Sequence, residues 1–152
     1  MKESEQALQF FDAGGKVSPL SDRDAVVGRY CMCLAIAGRN LFMARKGACD
    51  PGALAWLASA AAAVQRPGFE AYERDCRQRV SFRTLTLYAE ELRQAGRLQD
   101  CAAALRSALA TAQRDRADAT GQALAEADKC VAEAEGALGL VTHMLANPAT
   151  AA

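Results

Sequence analysis

The sequence predicts an all-α protein, an antiparallel bundle of five to seven helices. Three observations carry this. Apolar residues recur at three- and four-residue spacing along nearly the whole chain. No segment sustains the period-two alternation of Val, Ile and Thr that marks a strand. Apolar residues make up 51% of the 152 residues while aromatics make up only 6%, so alanine dominates the apolar surface and lets helix axes approach closely.

Taken in order, residues 1–20 read as an N-terminal arm: a short helix from Glu3 to Phe11, then the loop DAGGKVSP, with Phe10 and Phe11 able to dock on the body or on a partner. A single helical domain follows over 21–147, and 148–152 read as a frayed tail. Ser21 with Asp24 three residues on is a capping arrangement, and the stripe Val26, Val27, Tyr30, Leu34, Ala37, Leu41 defines a first long helix. It ends near Lys46 and Gly47, with a bend expected at Gly38. Asp50-Pro51 starts the second helix, an N-cap followed by proline at the first helical position, and Pro67-Gly68 stops it. A third helix is expected over about Phe69–Val80 and a fourth over about Phe82–Ala95; neither Gly nor Pro separates them, so one continuous helix is an open alternative. Gly96 ends the fourth, a fifth runs from Leu98 to about Ala117, and a last one from about Gln122 to Ala146 stops at Asn147-Pro148. Whether Gly121 breaks the chain between these two is open, because a lone helical glycine costs only about 1 kcal/mol. In the last helix Leu124, Ala127, Val131, Ala134, Leu138, Val141 and Leu145 form an a/d heptad seam. That seam suits packing within its own chain, or a homodimer.

Composition excludes several classes of function. Eighteen basic and 18 acidic residues leave no net charge, which argues against a general phosphate-binding surface and hence against nucleic acid. The third helix is rich in arginine, but its interleaved acids make it a solvent face with intrahelical ion pairs, or an anchor for an acidic partner through Arg74 and Arg77. No apolar run approaches the ~18 to 20 residues that span a bilayer, and MKESEQALQFF lacks the apolar core of a secretory signal, so no membrane role and a cytoplasmic location are expected. The Ala- and Arg-rich composition, with only four lysines, is that of a GC-rich bacterial genome. Without an export signal the six cysteines read as reduced thiols, Cys101 and Cys130 as small core hydrophobes.

The vocabulary of catalysis is missing, so no enzyme, no cofactor and no metal are expected. There is one histidine, His143, placed near a helix C-terminus where a cation is favoured. Cys31 and Cys33 diverge by about 200° on a helix and cannot jointly hold an ion. No Gly-rich phosphate loop occurs. The acid pairs Glu90-Glu91 and Glu133/Glu135 fall on predicted solvent faces.

Residues 85–113 resemble one tetratricopeptide repeat, a helix-turn-helix with small residues where its helices cross. Gly96 stands at the turn and Leu98 just after it; Cys101 and Ala108 take the small crossing positions and Leu105 a large one. In the preceding helix Leu85, Tyr88, Ala89 and Leu92 match the large, large, small and large positions. Gln113 replaces the closing proline, and no second copy follows at the repeat length. The resemblance implies degenerate repeat-like hairpins or a plain bundle containing one such hairpin. In outline it is similar to small bacterial secretion-type chaperones and adaptors.

The expected function is therefore a non-enzymatic protein-binding module, an adaptor or chaperone holding a partner segment in a groove between hairpins. The expected contacts are Tyr30, Phe42, Trp56, Tyr72 and Tyr88, with Arg74 and Arg77; each aromatic also reads as an ordinary core residue. A structural or regulatory homo-oligomer built on the 124–145 seam is the alternative, and a helical small-molecule binder or enzyme a remote third.

Overall fold

The computed structural model describes residues 6, 31–38, 40, 51–75 and 79–148. It is all-helical: no strand occurs among the described residues. The helices are α1 (31–38), α2 (Pro51–Val64), α3 (Phe69–Asp75), α4 (Ser81–Gln94), α5 (Leu98–Asp118) and α6 (Gly121–Ala146). The arm before residue 31 (Gln6 apart, which is helical), the expected caps at Ser21 and Asp50, and the tail from residue 149 lie outside the described residues.

The breaks follow from local chemistry. Gly96 adopts the left-handed conformation (φ 75). Its N–H donates to the Arg93 carbonyl at 3.0 Å, and that of Arg97 to the Leu92 carbonyl at 2.9 Å. These are the two bonds of a Schellman stop, and they satisfy the last carbonyls of α4. Between α5 and α6, Ala119 and Thr120 are extended and Gly121 is left-handed (φ 57), so the two helices are separate.

Helices α3 and α4 are also distinct, and α3 ends at Asp75, short of the expected Val80. The cause is a side chain that sequence periodicity does not register. Glu73, only 4% exposed, accepts the backbone N–H of Val80 at 2.6 Å and of Ser81 at 2.8 Å, together with the Ser81 hydroxyl. A carboxylate on one helix thus caps the next, where four N–H groups otherwise lack partners and the macrodipole favours negative charge.

Gly38 is itself helical, the last residue of α1 as described. Its missing side chain makes room for an indole: a Cβ there would stand 3.1 Å from Cδ1 of Trp56. Trp56 Nε1 in turn donates to the Leu34 carbonyl at 3.3 Å, tying α2 to α1.

The core has two lobes joined at Tyr88, which packs against both. One gathers Cys31, Leu34, Ala60, Val64, Phe69, Phe82 and Leu85 with Ala108, Ala112, Val131 and Ala134. The other, around the Gly96 turn, gathers Ala89, Leu92, Cys101, Ala102, Leu105 and Val141. Helix α5 is central, packed extensively against both α4 and α6, while α2 covers a further side of α4. The second cover explains a correction: Glu91, expected on a solvent face, is 0% exposed. An α4 enclosed by both α2 and α5 buries a wider arc than the single stripe Phe82, Leu85, Tyr88, Leu92, and Thr84 and Glu91, seven residues apart, lie within it.

Replacing Glu73 by Ala removes the cap of α4 and strands buried N–H groups; it should destabilise the protein by about 2 kcal/mol in urea unfolding, and Glu73→Gln by less. Gly96→Ala should cost about 1 to 2 kcal/mol because a Cβ is strained in the left-handed region. Gly38→Ala should shift the indole and change Trp fluorescence with a smaller loss of stability.

Candidate binding groove

Small side chains on α5 bring α4 and α6 close to it but not to each other. Cys101, Ala102, Ala104, Ala108 and Ala112 are all buried along α5. Helices α4 and α6, each antiparallel to α5, rest on it side by side with little contact between them. A groove therefore runs between α4 and α6, with α5 as its floor.

The groove has two chambers. One, of about 350 Å³, lies between Leu87 on α4 and Ala137, Leu140 and Val141 on α6, over Cys101 and Leu105. The other, of about 360 Å³, lies between Phe82 and the Ala123, Ala127 and Cys130 side of α6, over Ala112. Arg83 borders both. Both linings are mainly apolar, which is the usual character of a recognition cleft.

The charges at the rim are already paired. Arg79 meets Asp115 at 2.6 Å, Arg93 meets Glu90 at 2.6 Å, and Arg83 reaches from α4 to Glu133 on α6 at 3.3 Å. The last pair spans the mouth of the groove from wall to wall. Its side chains are 49% and 49% exposed, so it contributes at most about 1 kcal/mol. The Arg93 hydrogen bond holds the Glu90 carboxyl below its usual range. Burial pushes the Cys101 thiol up, with Glu90 adding to the effect; burial also raises Cys31, and raises Cys130 together with Glu133. These thiols are held neutral; Cys101 and Cys130 line the groove and Cys31 the core, places that suit a neutral thiol better than nucleophilic chemistry. The described cysteines 31, 33, 101 and 130 are all free; Cys49 and Cys76 lie outside the described residues. Among the described residues no three His, Cys, Asp or Glu side chains converge as a metal site, and no helix is long and apolar enough to cross a membrane.

None of the sequence-predicted contacts among the described residues lines this groove. Tyr30, Phe42 and Arg77 lie outside the described residues. Trp56 is half-buried against α1, with its N–H used by Leu34. Tyr72 stacks on Phe69 with ring centroids 6.2 Å apart, and Tyr88 joins the two core lobes from the side of α4 away from the groove. Arg74 is exposed and pairs with Glu70 at 2.9 Å and Asp118 at 3.5 Å. Most of the heptad seam faces its own chain: Ala127, Val131, Ala134 and Val141 are buried and Leu138 and Leu145 half-buried, whereas Leu124, its first member, is exposed.

The groove residues that sequence reasoning passed over are Arg83, Leu87, Glu133, Ala137 and Leu140. Leu140 carried a readable signal. It is a large apolar residue off the seam, and it is 58% exposed.

Because Cys31, Cys101 and Cys130 have raised thiol pKa values when folded, their contribution to stability is full below the unfolded thiol value near pH ~8.5 and is lost as pH rises beyond it. Glu90 has the opposite sign: its contribution is present above the unfolded carboxyl value of about 4.3 and is lost as pH falls through its lower folded value. Urea midpoints measured across pH should therefore decline at both ends, and replacing Cys31 and Cys101 by Ala should flatten the alkaline limb. Set against known proteins, the chain matches no family model, no curated protein and no solved structure.

Proposed function

We propose that the protein is a non-enzymatic binding module that holds a helical segment of a partner protein in the groove between α4 and α6. The observation that carries this reading is the groove itself: an open, mainly apolar trough over α5, flanked by rim charges that are already neutralised. An amphipathic helix laid in such a trough buries its apolar face without leaving a charge unpaired. The tetratricopeptide-like reading is consistent with it. In that reading α4 and α5 are one repeat, α6 opens the next, and the groove falls between successive first helices, on the concave surface that helical repeats use for binding. An adaptor or chaperone role in a bacterial cytoplasm belongs to the same proposal.

A second reading, self-association, draws on the edge of α6 where the first chamber opens. Leu140 borders that chamber and is exposed, and no described residue approaches the positions a Cβ would take at Gly136 or Gly139.

Ala137→Arg places a long charged side chain in the first chamber. Wild-type protein used as bait in native lysate should retain a specific protein that the Ala137→Arg variant loses, with its helical circular dichroism unchanged. Equal recovery on both baits would remove the groove from the proposal. For the second reading, light scattering should show a dimer that Leu140→Arg converts to monomer; a wild-type monomer at high concentration ends it.

A further inference from the structure

We propose that the Arg83–Glu133 pair is a strap across the groove, and that the partner helix carries two bulky apolar anchors eleven residues apart with a carboxylate between them that takes Arg83 from Glu133. This rests on the docking reading above and specifies its occupant.

The spacing comes from α6. Glu126 lines the second chamber and Ala137 the first, eleven residues further on. At 1.5 Å per residue that is about 16 Å, or three turns. Residues eleven apart on a helix also differ by only about 20° in direction, so a partner helix lying alongside α6 presents both anchors to the same trough. Cys101 beside Leu105 in one floor and Ala112 in the other leave the two chambers unfilled. Large side chains, Phe or Leu, are what such chambers accept.

The charge comes from the strap. Glu133 stands seven residues after Glu126 and four before Ala137. It is the one wall-to-wall ion pair of this groove among the described residues. A helix occupying both chambers has to pass the strap. Arg83 lies over the Phe82 ring at 5.8 Å and borders both chambers, so it stays directed at the groove when released. Glu133 borders only one chamber and is half-exposed, so it returns to water easily. A carboxylate arriving seven residues from one anchor and four from the other replaces it on a guanidinium suited to bidentate contact. The exchange leaves Arg83 paired and Glu133 solvated at the half-exposed rim.

The test uses synthetic Ala/Gln-based helical peptides, fluorescently labelled and followed by anisotropy. The full probe carries two Phe residues eleven apart and one Glu, seven from one Phe and four from the other, in both chain directions. Control peptides replace either Phe by Ala, or the Glu by Gln. The full probe should bind about tenfold or more tightly than either single-anchor peptide, as expected when one more aromatic is buried. Glu133→Gln should strengthen binding of the Glu probe several-fold and of the Gln probe clearly less, and Arg83→Gln should erase the difference between Glu and Gln probes. If single-anchor and double-anchor peptides bind equally, or Glu133→Gln does not discriminate between the Glu and Gln probes, the strap and spacing are overturned. The docking reading then still stands provided Ala137→Arg abolishes binding. If every peptide is weaker than about 1 mM, or binding ignores Ala137→Arg, both fall together.

Discussion

Close approach of α4 and α6 to a central α5 is the constraint on which the rest of the molecule depends. It exists because α5 presents Cys101, Ala102, Ala104, Ala108 and Ala112 inward, with Leu105 as its one large buried side chain. Small residues let backbones come near enough for dispersion contacts to accumulate along several turns. They also leave the floor of the trough shallowly filled. A floor of leucines would hold α4 and α6 further from α5 and fill the chambers; alanines produce the tight hairpins and the open groove together.

The hairpins also need the helices to stop in the right places, and the chain does this by three different means. Gly96 uses the left-handed conformation and the Schellman bonds. Thr120-Gly121 combines an extended residue with a left-handed one. Between α3 and α4 neither glycine nor proline is available, and a buried carboxylate performs the task from the preceding helix. That device fixes the start of α4, and with it the register that places Arg83 and Leu87 on the groove wall.

The electrostatic design is economical in the same sense. Ion pairs link several neighbouring elements around α5: Arg114 to Glu70, Arg79 to Asp115, Arg116 to Asp128, Arg83 to Glu133. All sit at the surface, where each contributes little to stability. Their effect is to leave the rim of the trough without uncompensated charge. A chain with no net charge and a neutral rim presents apolar surface to an approaching helix without long-range repulsion.

Composition and periodicity by themselves determined the helical class, the stops at Gly96 and Asn147, the second helix from Pro51, and the inward face of α6 from Ala127 to Val141. Each of these depends on residues near one another along the chain, or on a single stripe that any partner surface would bury. Tertiary structure decided what depends on two elements at once. Periodicity along α4 contains no sign that α2 and α5 would enclose it from two sides and bury Glu91. The helix boundary before Ser81 depends on Glu73, eight residues away and on another helix. Aromatic residues drew attention as binding anchors, yet Trp56 and Tyr88 serve the core, because their size is most useful where elements of the chain meet. The groove arises from alanines that are ordinary as single residues and acquire meaning only when three helices set them opposite one another.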